Sequence, residues 1–165
     1  MKKISYLFIS LILLINIVAC TGYKPIFGST DLKFKIVDHS ISGNKKLGNQ
    51  IYSKLYNLSE LNSSNPEVKN ISVFINVSKI INASTKDSAG KILSYKINLF
   101  TTVEIKDFDS SNIILNENFV YTSNYQVQNQ YSETLKLEDR STENLINKTY
   151  QELLIKLSEN ILSKW

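Results

Sequence analysis

The stretch LSYKINLFTTVEIK, residues 93–106, decides the fold because its side chains alternate between two faces. A β-strand points successive side chains to opposite sides of its sheet, so a period of two residues indicates a strand. Mostly apolar side chains share one face: Leu93, Tyr95, Ile97, Leu99, Thr101, Val103 and Ile105. The polar face carries Ser94, Lys96, Asn98, Thr102, Glu104 and Lys106. One dry face and one wet face are typical of an antiparallel sheet.

Further strands and one helix are predicted on either side of this stretch. Apolar alternation predicts strands over residues 32–37, 71–78 and 113–125. Polar residues and Gly43 predict a turn over residues 38–44. A helix with one buried stripe is predicted over residues 45–61 from the spacing of Leu47, Ile51, Leu55 and Leu58.

A long helix over residues 133–163 is expected to close the domain, with Ser132 as its N-cap. Its inner face is predicted to consist of Leu135, Leu145 or Ile146, Tyr150, Leu153, Leu157 and Ile161. The order β-α-β-β-β-α predicts an α+β fold, in which a single antiparallel four-stranded sheet carries two helices on one face. The other sheet face is expected to be polar and open.

The first twenty residues indicate export. After Lys2 and Lys3, an apolar run occupies residues 4–18; this is shorter than the roughly 20 residues of a membrane span and fits a secretory signal. The run ends in Ile17-Val18-Ala19-Cys20, which resembles the lipobox of bacterial lipoproteins. The resemblance implies cleavage between Ala19 and Cys20 and acylation of Cys20, palmitate being a typical chain. An uncleaved N-terminal helix that happens to end in cysteine is the alternative.

These features divide the chain into three parts. Residues 1–19 are a lipoprotein signal peptide, residues 20–30 an acylated tether, and residues 31–165 a single α+β sandwich domain. The ten residues after Cys20 reach at most about 33–36 Å, so we expect the domain to lie close to the membrane.

Charge and motifs argue against several classes of function. The net charge of +4 falls to about +2 once Lys2 and Lys3 leave with the signal. A nucleic-acid partner would require a dense basic face, and the sequence does not predict one. Cys20 is the only cysteine, which excludes an internal disulfide. The sequence has no Gly-rich phosphate loop, metal-ligand cluster or nucleophile motif, so we expect no enzyme, metal or cofactor. His39 is expected to be solvated or structural, and Glu138-Asp139 to form a solvated helix face.

Two lysines, Lys86 and Lys91, bracket a turn predicted around Asp87-Ser88-Ala89-Gly90. Surface lysines usually serve solubility. At a hairpin tip, however, such a pair is also suited to charge-assisted hydrogen bonds with the phosphates of a glycolipid. We therefore name Lys86 and Lys91 as candidate phosphate ligands.

The start of the tether contains Gly22, Tyr23 and the segment Pro25-Ile26-Phe27-Gly28. These residues resemble the start of mature proteins of the LptE family, lipopolysaccharide-assembly lipoproteins, of the alphaproteobacterial type. Thr21 departs from the pattern because it separates the cysteine from the glycine. Further along, the segment from Tyr125 to Tyr131, the pair Glu138-Asp139 and the element order also match this family.

This resemblance implies a function without catalysis. An LptE-like chain would lie on the periplasmic side of the outer membrane, held by its lipid anchor. It would plug the lumen of the LptD β-barrel, help that barrel to assemble, and contact lipopolysaccharide on its way to the cell surface. In such lipoproteins an aspartate directly after the cysteine typically causes retention in the inner membrane. This chain has Thr21 at that position, which favours sorting to the outer membrane. The alternative is another non-enzymatic envelope lipoprotein: a pilotin, or an accessory of secretion or barrel assembly.

We predict that Cys20→Ser blocks acylation and leaves an uncleaved precursor, because the sulfur that accepts the lipid is lost. Metabolic labelling with palmitate measures this directly, and the unsubstituted chain is the control. Label that persists in Cys20→Ser would exclude Cys20 as the acceptor.

Overall fold

A computed structural model describes residues 32–61 and 68–164 of the chain. Four strands and two helices follow one another as β1 (Phe34–Gly43), α1 (Lys45–Leu61), β2 (Lys69–Lys86), β3 (Ile92–Asp107), β4 (Ile113–Gln126) and α2 (Tyr131–Lys164). The predicted signal peptide, the cleavage site at Ala19 and Cys20, the tether and the side chain of Ile161 lie outside the described part.

The strands form one sheet in the order β1-β2-β3-β4, so the predicted α+β class and element order are confirmed. β2–β3 and β3–β4 pair antiparallel, as expected, whereas β1 and β2 pair parallel. The sheet is therefore mixed, and the prediction of a wholly antiparallel sheet was wrong for this one pair. The reason is the intervening helix: α1 carries the chain back along the sheet, so β2 starts at the same end as β1.

The core lies between the sheet and the helices. The alternation predicted for β3 is confirmed at its centre, where Ile97, Leu99, Val103 and Ile105 are fully buried. Neighbouring strands and both helices complete this core with Phe34, Ile71, Val73, Ile75, Val77, Ile51, Leu55, Ile146, Leu153 and Leu157. Neither of the two helices in the described residues is long and apolar enough to cross a membrane.

β1 runs further than the sequence predicted. The pairing with β2 shifts by one residue between Ile36 and Asp38, which is a β-bulge at Val37. The bulge reverses which side chains face the helices: Ile36 points inward before it, and His39 and Ile41 pair with inward residues of β2 after it. Because the two-residue period breaks at that point, residues 38–43 resembled a turn in the sequence.

α2 begins two residues earlier than predicted. The amides of Glu133 and Thr134 donate to the carbonyl of Gln130, so Ser132 lies inside the first turn and is not the N-cap. The inner face begins with buried Thr134, whereas Leu135 is 40% exposed, and Leu135 was wrongly predicted to face inward. Apart from Ile161, whose side chain lies outside the described part, the remaining inner-face positions are confirmed: Leu145, Ile146, Leu153 and Leu157 are buried and Tyr150 packs against them.

The β2–β3 hairpin extends beyond β1. β1 ends at Gly43, which pairs with Val77, so β2 has a neighbour on one side only from Ser78 to Lys86. The chain turns into α1 through Gly43, whose φ is +68°, and Asn44, whose side chain accepts a hydrogen bond from the Leu47 amide at 3.2 Å. Asn44 also donates its backbone amide to the Val77 carbonyl at 2.7 Å.

We predict that Gly43→Ala destabilises the domain by about 3 kcal/mol. A Cβ at this position would meet the Val77 carbonyl oxygen and lie 2.6 Å from Asn76 Oδ1, in a left-handed conformation that side chains disfavour. The matched control is Gly90→Ala, since Gly90 also has a positive φ (+81°) but no atom within 4 Å of the added Cβ. Its expected cost is only about 1 kcal/mol. Urea unfolding measures both, and equal costs would contradict the role assigned to the Val77 contact.

Candidate functional site

The tip of the β2–β3 hairpin places Lys86 and Lys91 on either side of a tight turn. The turn is built on Asp87, whose Oδ1 accepts hydrogen bonds from the backbone amides of Ala89 and Lys91, each at 2.9 Å. Gly90 donates its amide to the Asp87 carbonyl at 3.0 Å. Both lysine side chains are exposed, and neither forms an ion pair with any described residue. The tip therefore presents two ammonium groups to solvent.

Further cations lie near the same end of the molecule. Lys96 is on the open face of β3, between Asn82 and Asn124 on the neighbouring strands. Residues Lys136 and Arg140 belong to the first turns of α2 and, with Gln128, Glu133 and Leu137, line a shallow depression of about 320 Å³. α2 starts here because the chain leaving β4 is bonded to β3, with the Val127 amide donating to the Leu93 carbonyl at 2.9 Å.

Below the hairpin, a polar cluster joins the sheet to α2. Lys79 Nζ on β2 lies 2.8 Å from Glu138 Oε1, and the Tyr125 hydroxyl donates to Glu138 Oε2 at 3.2 Å. The Tyr125 ring also stacks on Tyr95, with centroids 5.6 Å apart. Burial, and then the negative charge of Glu138, raise the pKa of Tyr125, so its hydroxyl remains a hydrogen-bond donor.

This cluster corrects one expectation and adds a residue that sequence reasoning missed. Glu138 was expected on a solvated face together with Asp139, but it points toward the sheet and its side chain is only 21% exposed. Asp139 is exposed, as expected. Lys79 was missed, although its position two residues after the inward-facing Val77 was a usable signal, because it places the lysine on the helix side of β2.

A cleft of about 550 Å³ opens between α1 and α2. Its floor includes Lys79 and the apolar side chains of Leu47 and Ile146. The rim is polar and of mixed charge: Asn44, Lys46, Asn49, Gln50, Ser53, Lys54, Asp139, Thr142 and Glu143. These groups can form hydrogen bonds and ion pairs with a ligand. Among the described residues, no group of three or more His, Cys, Asp and Glu side chains could hold a metal ion.

His39 lies outside the cleft, on β1. Its ring stacks on Tyr52 of α1 with centroids 4.0 Å apart and an angle of 12° between the planes. Tyr52 in turn contacts Tyr56, with ring centroids 5.8 Å apart. This row of rings packs the first strand onto the first helix, which matches the structural role expected for the histidine.

The face of the sheet turned away from the helices is open, and it is less polar than predicted. Phe74 (37%), Ile80 (46%), Phe100 (40%) and Val120 (57%) are exposed on it. Six polar residues were predicted for this face of β3, and Phe100 was not among the residues expected there. Phe74 lies beside Glu104, whereas amide and hydroxyl side chains surround the other three. Two of these polar side chains bond to each other, since Thr102 Oγ1 donates to Asn118 Oδ1 at 2.6 Å.

Comparison with known families gives no match: no family model fits the chain, and no curated protein matches its sequence. Solved structures do match it in fold. The rare lipoprotein B of Shewanella oneidensis superposes with a TM-score of 0.56 at 12% identity, covering 79% of this chain and 96% of that one. A minor lipoprotein of Acinetobacter baumannii gives a TM-score of 0.55 at 16% identity, covering 78% and 92%.

A third structure, the uncharacterized lipoprotein B of Nitrosomonas europaea, gives a TM-score of 0.53 at 9% identity, covering 80% of this chain and 86% of that one. Identities this low carry the fold and nothing finer. The domain thus has the fold of these solved bacterial lipoproteins.

Proposed function

We propose that the protein is a lipid-anchored lipoprotein of the outer membrane that acts as plug and assembly partner of an LptD-like β-barrel in lipopolysaccharide transport. The observation that carries this proposal is the fold shared with solved bacterial lipoproteins. The lipobox-like Ile17-Val18-Ala19-Cys20 at the start of the same chain supports it independently.

The anchor sets where the domain works. One acyl chain binds a membrane only marginally, but two or more hold a protein stably, because each buried methylene contributes about 0.8 kcal/mol. A diacylglycerol on the Cys20 sulfur and a third chain on its amino group satisfy this condition. The short tether then keeps the domain within about 33–36 Å of the periplasmic leaflet.

The shape and surface of the domain suit it to act as a plug. Most of its apolar side chains are enclosed between sheet and helices, with Phe34, Ile51, Leu99 and Leu157 fully buried. Its outer surface is polar over the helices, and the open sheet face combines amide, hydroxyl and charged side chains with a few exposed apolar ones. The lumen of a large transmembrane barrel is likewise polar, so a domain with this surface is suited to fill it. No catalytic step is part of the proposal.

Lipopolysaccharide contact is assigned to the hairpin tip. Lys86 and Lys91 are exposed there without an acidic partner among the described residues, so their ammonium groups are available to phosphates. Charge-assisted hydrogen bonds of this kind are stronger than neutral ones. Nearby Lys96 adds positive charge to the same end of the sheet.

We predict that the detergent-extracted, acylated protein co-purifies with a large β-barrel of the LptD type. Depletion of the protein is expected to reduce both surface lipopolysaccharide and the folded form of that barrel. Mass spectrometry of the purified complex identifies the partner. A monomer without any barrel would contradict the proposal, and a secretin or another barrel would point to a pilotin or to a different assembly accessory.

We predict that Lys86→Ala/Lys91→Ala weakens binding of lipopolysaccharide about tenfold, since each exposed charge contact contributes up to about 1 kcal/mol. The matched control is Lys35→Ala/Lys45→Ala, which removes the same charge far from the hairpin tip. Binding to immobilised lipopolysaccharide at two salt concentrations measures the effect. Equal weakening by the two double variants would mean that only net charge matters and that the tip is not a site.

A further inference from the structure

β2 has an unpaired edge beyond the end of β1. The last pair between the two strands is Gly43 with Val77, and no described residue pairs with β2 on that side from Ser78 to Lys86. We call this stretch the free edge. Backbone amides and carbonyls are strong hydrogen-bonding groups that nearly always find a partner. At the free edge that partner can be water or another chain, because β3 pairs only with the other side of β2.

Neighbouring hydrogen bonds show which backbone groups of the free edge point outward. Lys69 donates its amide to the Lys33 carbonyl, next to β1. The Val77 carbonyl accepts from Asn44, which follows β1, so odd-numbered residues of β2 direct their groups to the β1 side. The alternation persists as far as Ala83, because the register with β3 shifts only after that residue. The outward amides and carbonyls of the free edge therefore belong to Lys79, Ile81 and Ala83.

The cleft between α1 and α2 opens beside the free edge. Lys79 belongs to both, since its backbone is part of the edge and its side chain lines the cleft. α1 packs over β1 and β2, so a strand added to the free edge would lie beneath the first turns of this helix. Successive side chains of a strand alternate between faces. Every second side chain of the added strand would therefore meet the cleft wall that bears Lys46 and Gln50.

Charges around the free edge favour an acidic segment. Residues 78–86 include Lys79 and Lys86 but no acidic residue. Lys79 is neutralised by Glu138, whereas Lys46 on the adjacent cleft wall has no ion-pair partner among the described residues. An acidic side chain on the added strand would supply that partner, and complementary charges of this kind fix register and exclude wrong partners.

Two further observations narrow the choice of occupant. The acidic residues that line the cleft, Asp139 and Glu143, belong to α2, which packs over β3 and β4 and so forms the far wall. A second copy of this chain fits the free edge poorly. Antiparallel pairing of two free edges would put the Lys46 side chains of both copies on one face of the joined sheet, and like charges on neighbouring strands are destabilising.

We infer that the free edge binds an extended, acidic peptide segment of a partner protein, which adds to the sheet as a strand beside β2. Main-chain hydrogen bonds to Lys79, Ile81 and Ala83 give affinity in this mode of recognition, and the cleft selects among alternate side chains. The site is short, because Asn44 closes it at one end and the register shift after Ala83 ends it at the other. The inference goes beyond the proposed function and holds for any partner that offers such a segment.

Hydrogen exchange followed by NMR on the full-length, acylated protein in detergent tests this binding mode. The probe is the tightest binder selected against that protein from a displayed library of short random peptides. In the free protein we expect fast exchange at the amides of Lys79, Ile81 and Ala83, and slow exchange at those of Ile80 and Asn82, which bond to β3. The probe is expected to be acidic and to slow the first three amides at least about tenfold.

Several results would overturn the inference. Slow exchange at Ile81 and Ala83 in the free protein would mean that another part of this chain already pairs with the edge. Protection of Val120 and Thr122 by the probe, in place of the free-edge amides, would put the peptide on β4, where even-numbered residues face outward. A basic probe would contradict the assigned charge preference, and a library that yields no binder would contradict the site itself.

A proline substitution gives a second test. Ala83→Pro removes one outward amide of the free edge, and proline is tolerated where a strand amide faces solvent. We expect it to weaken binding of the probe about tenfold, through the lost hydrogen bond and the bulk of the ring. The matched control is Val120→Pro, which removes an outward amide of β4 and is expected to leave binding unchanged.

Thermal unfolding verifies that both proline variants are folded. Undiminished binding of the probe by folded Ala83→Pro would overturn the inference, as would equal weakening by Val120→Pro. The exchange pattern of the unsubstituted protein remains decisive if Ala83→Pro does not fold.

Discussion

The structure depends on the desolvation of one face of β3. This strand lies between β2 and β4 over most of its length, and its inward side chains Ile97, Leu99, Val103 and Ile105 are inaccessible to water. A shift of register by one residue would turn that whole set to the open face. The hydrophobic cost of such a slip fixes the pairing on both sides, and the fixed pairing in turn determines which residues appear on the open face and at the hairpin tip.

Toward the hairpin tip the apolar core gives way to polar contacts. Over β2, the inward Val77 is followed by Lys79, and the facing position on α2 is Glu138. The ion pair and the Tyr125 hydroxyl bridge α2 to the sheet at this point. Because all three groups are partly buried and satisfied by one another, the first turns of α2 are held against the hairpin without additional apolar side chains. The hairpin tip is thereby attached to the body of the domain.

Much of this could be predicted from the sequence, and the misses have physical causes. Strong alternation in β3 and helical spacing in α1 depend on local geometry alone, so both were predicted correctly. The parallel pairing of β1 with β2 depends on the path of α1, and the bulge at Val37 concealed the second half of β1. Leu135 was wrongly predicted to face inward, because a single apolar residue at the start of a helix does not fix which face of the helix is buried. Thr134 is the buried residue there. At the candidate site, the positions of Lys86 and Lys91 followed from the turn residues. The alternation of β2 indicated that Lys79 faces the helices, but its pairing with Glu138, 59 residues away in sequence, could not be predicted from local patterns.

The two outer edges of the sheet differ in how they resist unwanted pairing. β1 is interrupted by its bulge and bears Lys35 and Asp38, features that discourage another strand from adding to it. β4 has neither lysine nor proline, and Glu117 is its only charged residue. Along β4, therefore, little besides Glu117 opposes the addition of a further strand, and this edge is the one at which strand-by-strand aggregation would begin.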